Sequence, residues 1–413
     1  MSVDISKRMD KLGKKFRTFT RTTFMPTGSL VMDIVMGGGL PVGKIIELTS
    51  DAGAGKTTIA LSMCRELLLH GKKVIYLDYE GAVTTSQLEG IFGNNPKTGT
   101  NYLDEFLYSE DNPDGNFFLF QVTTYMDGEE VLNNLLSTNE FSFVVLDSIT
   151  SMVPDEYLEQ VNNPDSKEGK YATDDSRPAI DARLVGKFLK KFKAACTEHD
   201  VTMLLINQLR TDLNITGYGT SSKKSTGGAS VEYLPDIRLR LEKPVPIYQN
   251  KKNNLTGEVE KQQIGTTSLI NAFKNKLGPG KIKVPISIIF GRGISNIQSY
   301  KQWLPNKKVM VDGEEKPMLI TKGGGYHILT VPDGNGSGTE YQARGEDALT
   351  ELVTEHFEEI KKCFGPADFE ITENKAYAEF DANNSRSVEI TPGESFEVEN
   401  KESIWDGIEW KYQ

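Results

Sequence analysis

Three cysteines in 413 residues, Cys64, Cys196 and Cys363, stand too far apart for any C-x-x-C pair and have no histidine cluster beside them. Neither a disulfide framework nor a zinc site finds support in that spacing, and the thiols read as small core residues on helices. No apolar run approaches the roughly 18 residues a membrane span requires. The basic N-terminal stretch also lacks the apolar segment of a secretory signal, so a cytoplasmic protein with no membrane partner is expected. Positive charge is short overall, with 47 Lys and Arg against 58 Asp and Glu for a net −11. That deficit argues against a nucleic-acid partner until its distribution is considered. Lys7, Arg8, Lys11, Lys14, Lys15, Arg17 and Arg21 make the first segment basic, whereas acidic residues from Asp368 to Glu409 crowd the last. An acidic end can compete with DNA for a basic groove elsewhere, so the sum leaves DNA binding open. At 38% hydrophobic, a chain of this length can bury a large core and suggests two or three domains.

What the chain does have is a stretch from Ile45 to Ile59 that passes from an apolar run through a glycine-rich turn into an apolar-periodic segment. Ser50, Asp51, Ala52, Gly53, Ala54, Gly55, Lys56, Thr57 and Thr58 read as a P-loop and its entry into a helix. In such a turn backbone N–H groups converge on phosphate oxygens, the lysine reaches the β- and γ-phosphates, and the hydroxyl binds Mg²⁺. Ser50 stands where the G-x-x-x-x-G-K-[ST] pattern has its first glycine, so a backbone conformation usually eased by Gly must be reached by Ser.

Further apolar runs end in polar residues. Val74–Leu77 finishes at Asp78-Tyr79-Glu80, Phe141–Leu146 at Asp147-Ser148, and Val201–Ile206 at Asn207-Gln208. Strands alternating with helices predict a parallel sheet covered on both faces, with a site along the edge where these ends lie. Asp147 after four apolar residues fits the carboxylate that meets the Mg²⁺ shell in P-loop enzymes. Two polar loops, 155–180 and 209–228, follow site strands, and loops this long are uncommon unless functional or disordered. Their Gly, hydroxyl and basic content suits a nucleic-acid backbone. Beyond them Ser230–Leu241 and Gly265–Phe273 read as antiparallel strands, with Asn250–Asn254 a polar connection between them. Glu346–Cys363 reads as one helix of a small α+β unit.

In this order the motifs resemble those of the RecA family of ATP-dependent DNA strand-exchange proteins, phage UvsX-like recombinases included, over about residues 10–300. The Thr27-Gly28-Ser29-Leu30 and Gly38-Gly39-Leu40-Pro41 segments resemble the family's approach to the P-loop. The resemblance implies a RecA-like α/β P-loop ATPase core with a mainly parallel central sheet, an N-terminal helical arm and a small α+β C-terminal domain. Its divisions would be 1–25 for an oligomerisation arm, 26–297 for the core, 298–365 for the C-terminal domain and 366–413 for an acidic region.

Roles come with the resemblance as well. Glu80 would activate the attacking water, Gln208 would sense the γ-phosphate, and Thr57 and Asp147 would hold Mg²⁺ beside ATP. Lys274 and Lys276 would reach the nucleotide of a neighbouring protomer. Arg183, Arg210, Tyr218, Lys223, Lys224, Gly227 and Gly228 would bind DNA. The implied partners are single- and double-stranded DNA, further copies of the chain in a helical filament, and single-strand-binding and mediator proteins. The implied activity is homologous pairing and strand exchange. Two other readings of the motifs are a ring helicase or DNA motor and a nucleotide-gated DNA-binding module. Where relatives hold adenine with an Asp and a Tyr, this chain has Thr84 and Gln87.

Overall fold

The computed structural model describes residues 22–155, 177–211, 223–225, 228–252, 259–278, 282–333, 337–363, 403–405 and 410–412. The expected N-terminal arm up to residue 21, most of both long loops and nearly all of the acidic region 366–413 lie outside the described residues.

Phe24–Met25 (β1) pairs antiparallel with Leu40–Pro41 (β2), and between them runs the short helix Leu30–Met36. The main sheet then takes Ile45–Ser50 (β3), Lys73–Asp78 (β4), Phe117–Gln121 (β5), Phe141–Asp147 (β6), Thr202–Thr211 (β7) and Lys223–Ser225 (β8). Ile237–Leu241 (β9), Val245–Lys252 (β10), Val259–Asn275 (β11), Lys283–Ile289 (β12) and Gly293–Ser295 (β13) complete it. Nine of these run across the sheet in the order β13-β12-β11-β9-β3-β7-β6-β4-β5, with β10 added on β11 and β8 on β7. From β9 through β5 the strands are parallel; β11, β12 and β13 continue antiparallel.

The central strands are buried along their whole length because both of their faces are covered, and most of their residues are apolar. Side chains alternate between faces, and the alternation sorts them into two cores. Ile46, Leu48, Tyr76, Val145, Leu204 and Ile206 pack with Ile59, Met63 and Leu67 of the Lys56–Leu69 helix. On the other face Ile45, Ile75, Leu77, Val144, Leu146, Met203 and Leu205 pack with Leu132 of the Tyr125–Leu136 helix and with Phe188 and Phe192 of the Arg177–His199 helix. Cys64 and Cys196 are buried on helices as expected, while Cys363, half-buried, lies in the turn just past the Phe357–Lys362 helix; all three are free thiols. No helix among the described residues is long and apolar enough to cross a membrane.

The strand reading beyond residue 228 needs correction. Gly228–Tyr233 is a helix, not the start of a strand. Ile237–Leu241 is antiparallel to the Gly265–Phe273 part of β11, as expected, and it also pairs parallel with β3. Residues 250–252 of the expected polar connection continue β10, which pairs with β11 as far as Lys252↔Val259. After β13 come the Asn296–Trp303 helix, a two-stranded hairpin, the three-stranded sheet Leu319–Lys322, Tyr326–Pro332 and Gly338–Arg344, and two short helices. The single helix expected over Glu346–Cys363 is divided into Glu346–Glu355 and Phe357–Lys362. Leu329, Val331, Leu349, Val353 and Ile360 of this unit share one continuous core with Ile288, Ile297 and Trp303.

The β5 strand and the Tyr125–Leu136 helix were not legible beforehand, yet the helix carries a clear start signal. Thr124 accepts from the Asp127 N–H at 3.2 Å while the Asp127 carboxylate accepts from the Thr124 N–H at 2.7 Å, a reciprocal capping box. Thr124→Ala is expected to cost about 1 kcal/mol of stability, read as a shift of the urea midpoint at unchanged slope.

Candidate functional site

All the parallel strands point the same way, so β3, β4, β6 and β7 deliver their C-terminal ends to one edge. There β3 turns through Asp51–Gly55 into the Lys56–Leu69 helix, whose first N–H groups have no intrahelical carbonyl to serve. Gly55 makes this turn with φ 93°, and a Cβ on it would lie 2.4 Å from Ile288 Cδ1. A larger residue there would be strained by the left-handed backbone and would force the Ile288 side chain to move. Gly53, also at positive φ, has nothing within 4 Å of where its Cβ would be, leaving an open cradle. Ser50 does not take the strained conformation expected of it: it belongs to β3, and it is not among the described non-glycine residues at positive φ, which are Asn139, Asp200 and Asp312. Its hydroxyl donates to the Asp51 carbonyl at 2.7 Å and accepts from Lys56 Nζ at 3.0 Å, and the same ammonium donates to the Asp51 carbonyl at 3.1 Å. Burial pushes the Lys56 ammonium pKa down, opposed by Glu80, Asp147 and Asp51.

Besides Asp51 in the loop itself, three carboxylates stand at or just past the ends of β4 and β6 among the described residues, and their hydrogen bonds separate them by role. Asp78 accepts the backbone N–H of Glu80 at 3.1 Å, of Gly81 at 2.8 Å and of Val83 at 3.1 Å, so it shapes the turn after β4. Asp147 Oδ2 accepts from Thr57 Oγ1 at 2.7 Å and from the Tyr76 hydroxyl at 2.6 Å, while its Oδ1 is buried with no partner among the described residues. Burial pushes the Asp147 pKa up, and the two hydroxyl donors act against it. Glu80 is exposed, and its Oε1 accepts from Ser148 Oγ at 2.7 Å and from Gln208 Nε2 at 3.1 Å. Tyr76 carries no motif signal; only the strand register brings it to the site.

Residues for Mg²⁺ fit this arrangement. An ionised carboxylate with one buried, unpartnered oxygen beside a hydroxyl that has donated its proton leaves lone pairs for a hard cation, which takes oxygen ligands and keeps water and phosphate oxygens for the rest.

Behind the edge, Gln208 is held through its backbone. Its N–H donates to Asn207 Oδ1 at 2.8 Å, Asn207 Nδ2 donates to Glu47 Oε1 at 2.8 Å, and Glu47 Oε2 accepts from Arg238 Nε. The Arg238 and Arg240 guanidiniums lie 4.7 and 4.8 Å from the Phe273 ring centroid. Past Gln208, which pairs with Ser50, β7 leaves the phosphate-loop strand and pairs with β8 instead, placing Arg210 opposite Lys224. The strand that ends at the nucleotide is thus also the root of the second long loop. Tyr218 and Gly227 lie outside the described residues, as do the side chains of Arg210, Lys223 and Lys224.

Arg183 is exposed on the Arg177–His199 helix. Its neighbour Ala182 meets Gly228 so closely that a Cβ on that glycine, at φ 70°, would fall 2.8 Å from the alanine Cβ. The helix after the first loop and the end of the second are therefore packed together. Lys274 and Lys276 are placed apart from the phosphate loop: Lys274 Nζ donates to the carbonyls of Glu232 at 2.8 Å and Tyr233 at 3.0 Å, and Lys276 Nζ to Tyr233 at 3.3 Å. Thr84 caps the Thr85–Phe92 helix, accepting the Gln87 N–H at 3.3 Å.

Comparison with known proteins agrees with this geometry. The family model described as RecA N-terminal domain matches residues 6–295. The chain is 26% identical over 356 residues to Protein RecA of Xanthomonas axonopodis pv. citri, covering 85% of this chain and 88% of the relative. It is 26% identical over 362 residues to Protein RecA of Fusobacterium nucleatum, covering 87% and 81%. Against Protein RecA of Lactobacillus delbrueckii subsp. bulgaricus it is 25% identical over 388 residues, covering 93% and 89%.

Proposed function

We propose, from the premise that this chain belongs to the RecA family, a division of work among the residues of the edge. The protein is a RecA-like recombinase and a DNA-dependent ATPase that binds ATP and DNA and assembles into filaments. In the proposed working form it polymerises on single-stranded DNA, takes up duplex DNA, and carries out homologous pairing and strand exchange. Mediator and single-strand-binding proteins are proposed as its helpers.

Ser50 to Thr58 would bind the phosphates, with Lys56 leaving Ser50 and Asp51 for the β- and γ-oxygens. Thr57 and Asp147 would hold Mg²⁺, which when bound neutralises charge developing on the transferred phosphoryl group. Glu80 would orient the attacking water and accept its proton. Gln208, hydrogen-bonded to that carboxylate, would register the γ-phosphate. Arg183, Arg210, Lys223, Lys224, Gly228 and, outside the described residues, Tyr218 and Gly227 would meet the DNA backbone. Contacts to phosphates give affinity without sequence preference, which a search for homology requires.

The observation that carries this reading is β7. One strand presents Gln208 to Glu80 at the nucleotide and continues directly into the loop assigned to DNA. A change at the γ-phosphate therefore acts on the base of that loop. The same continuity favours a recombinase over a nucleotide-gated module, because the water-activating carboxylate is present at the sensor. The test is the rate of ATP hydrolysis with and without single-stranded DNA, with Lys56→Ala as the blank. Strong stimulation by single strands of unrelated sequence is expected. Hydrolysis indifferent to DNA would remove the reason for assigning the two loops to it.

A further inference from the structure

Tyr76 is a polar residue in an apolar place. It lies in the middle of β4, is fully buried, and belongs to the core under the phosphate-loop helix together with Cys64 and Leu67. Its ring meets Phe117 edge-on at 6.3 Å and 74°. A strand position between Ile75 and Leu77 with that environment would be served by phenylalanine, since a buried hydroxyl costs free energy unless it finds a partner. The partner it finds is the carboxylate at the site. Register sets Asp78 opposite Asp147 and Tyr76 opposite Val145, so the phenol reaches two residues up the sheet to donate to Asp147 Oδ2 at 2.6 Å.

The consequence is an asymmetric carboxylate. Thr57 Oγ1 donates to the same oxygen at 2.7 Å, so Oδ2 carries two short hydrogen bonds and Oδ1, buried as well, carries none from the described residues. Two donors converging on one oxygen fix the plane of the carboxyl group, where a single rotatable threonine hydroxyl would leave it free to turn. They also leave the other oxygen, and the threonine oxygen itself, facing a common need. We propose that Tyr76 is a positioning residue for the metal site: it holds Asp147 by Oδ2 so that Oδ1 and the Thr57 hydroxyl oxygen remain for Mg²⁺ and its water. This rests on the reading of Thr57 and Asp147 as the metal-holding pair. Groups that orient a metal's ligands typically account for about 10–100-fold in metal affinity, and Tyr76 falls in that class.

The experiment is Tyr76→Phe, which removes one oxygen and keeps the ring. Two quantities are measured against Mg²⁺ concentration: binding of a fluorescent, non-hydrolysable ATP analogue, and DNA-stimulated hydrolysis. Both half-saturating Mg²⁺ concentrations are expected to rise about tenfold, with turnover recovered at saturating Mg²⁺. Phe117→Leu, which loosens the packing of the same ring without touching its hydroxyl, is expected to leave the Mg²⁺ requirement where it was. An unchanged requirement in Tyr76→Phe, a loss that no Mg²⁺ restores, or an equal shift in Phe117→Leu would each overturn the proposal. Asp147→Asn, run in parallel, separates the two layers. If it raises the requirement and Tyr76→Phe does not, only the role of Tyr76 fails; if neither does, the metal site itself is misassigned and the role of Tyr76 falls with it.

Discussion

Glu80→Gln is expected to lower ATP hydrolysis by about 10²–10⁴-fold, the usual contribution of a positioned general base, while nucleotide and DNA binding persist. The assignment follows from comparing the three carboxylates at or just past the ends of β4 and β6. Asp78 has both oxygens engaged by backbone N–H groups and is 1% exposed, so no water can reach it in line with a phosphate. Asp147 is 2% exposed and pinned by two hydroxyls, which suits a cation rather than a proton. Glu80 alone of the three is at the surface, with Oε1 oriented by Ser148 and Gln208 and, among the described residues, no donor on Oε2. An amide at this position keeps the size and can keep an acceptor for Ser148, but it has no basicity. Steady-state hydrolysis, together with equilibrium binding of a labelled single strand in the presence of ATP, checks the split. Unchanged turnover would show that the water is activated elsewhere, and loss of DNA binding would show that Glu80 acts mainly in transmitting the nucleotide state.

The parts of this site that could be read in advance are those written contiguously. Ser50–Thr58 is one run of chain, and Asp147 ends an apolar strand, so local pattern sufficed. The contacts that give those residues their roles join positions far apart in sequence, such as Gln208 to Glu80 and Tyr76 to Asp147, and depend on strand order and register, which composition does not encode. The parallel pairing of Ile237–Leu241 with β3, unlike its expected antiparallel pairing with β11, was hidden for the same reason: alternation of apolar residues is identical in parallel and antiparallel strands and does not name a second neighbour. The β5 strand escaped notice because Phe117–Gln121 is five residues long and follows a stretch dense in Asn, Asp and Gly. Ser50 shows the opposite failure, a motif rule applied too strictly. A hydroxyl at that place in β3 meets Lys56 without any left-handed backbone.

Register also decides what Lys274 and Lys276 can touch, and from it comes the second large effect. Ile45 at the start of β3 donates its N–H to Asp236, and Lys276 donates its own to the Asp236 carbonyl, so the lysine pair stands at the end of β3 opposite the phosphate loop. The six residues of β3 make five steps between those ends, about 17 Å. A lysine side chain cannot cover that distance, so neither ammonium serves the nucleotide bound to its own chain. Within the chain both cap the last carbonyls of the Gly228–Tyr233 helix, which closes the second loop, and Lys276 also pairs with Asp236 at 3.5 Å. Burial, then Lys276 and Arg238, push the Lys274 pKa down, so an arriving phosphate would relieve like-charge crowding. Cations supplied in trans to a transferring phosphoryl group contribute about 10³–10⁵-fold. The double variant Lys274→Ala with Lys276→Ala is therefore expected to lose DNA-stimulated hydrolysis by about 10³-fold while still binding ATP. Mixing supplies the decisive control. Lys56→Ala subunits have no working phosphate loop but keep the lysines, and the double variant has the reverse, so hydrolysis should reappear when the two are combined on single-stranded DNA. Stimulation that survives in the double variant would remove these lysines from catalysis; loss without recovery on mixing would confine them to holding the helix in their own chain.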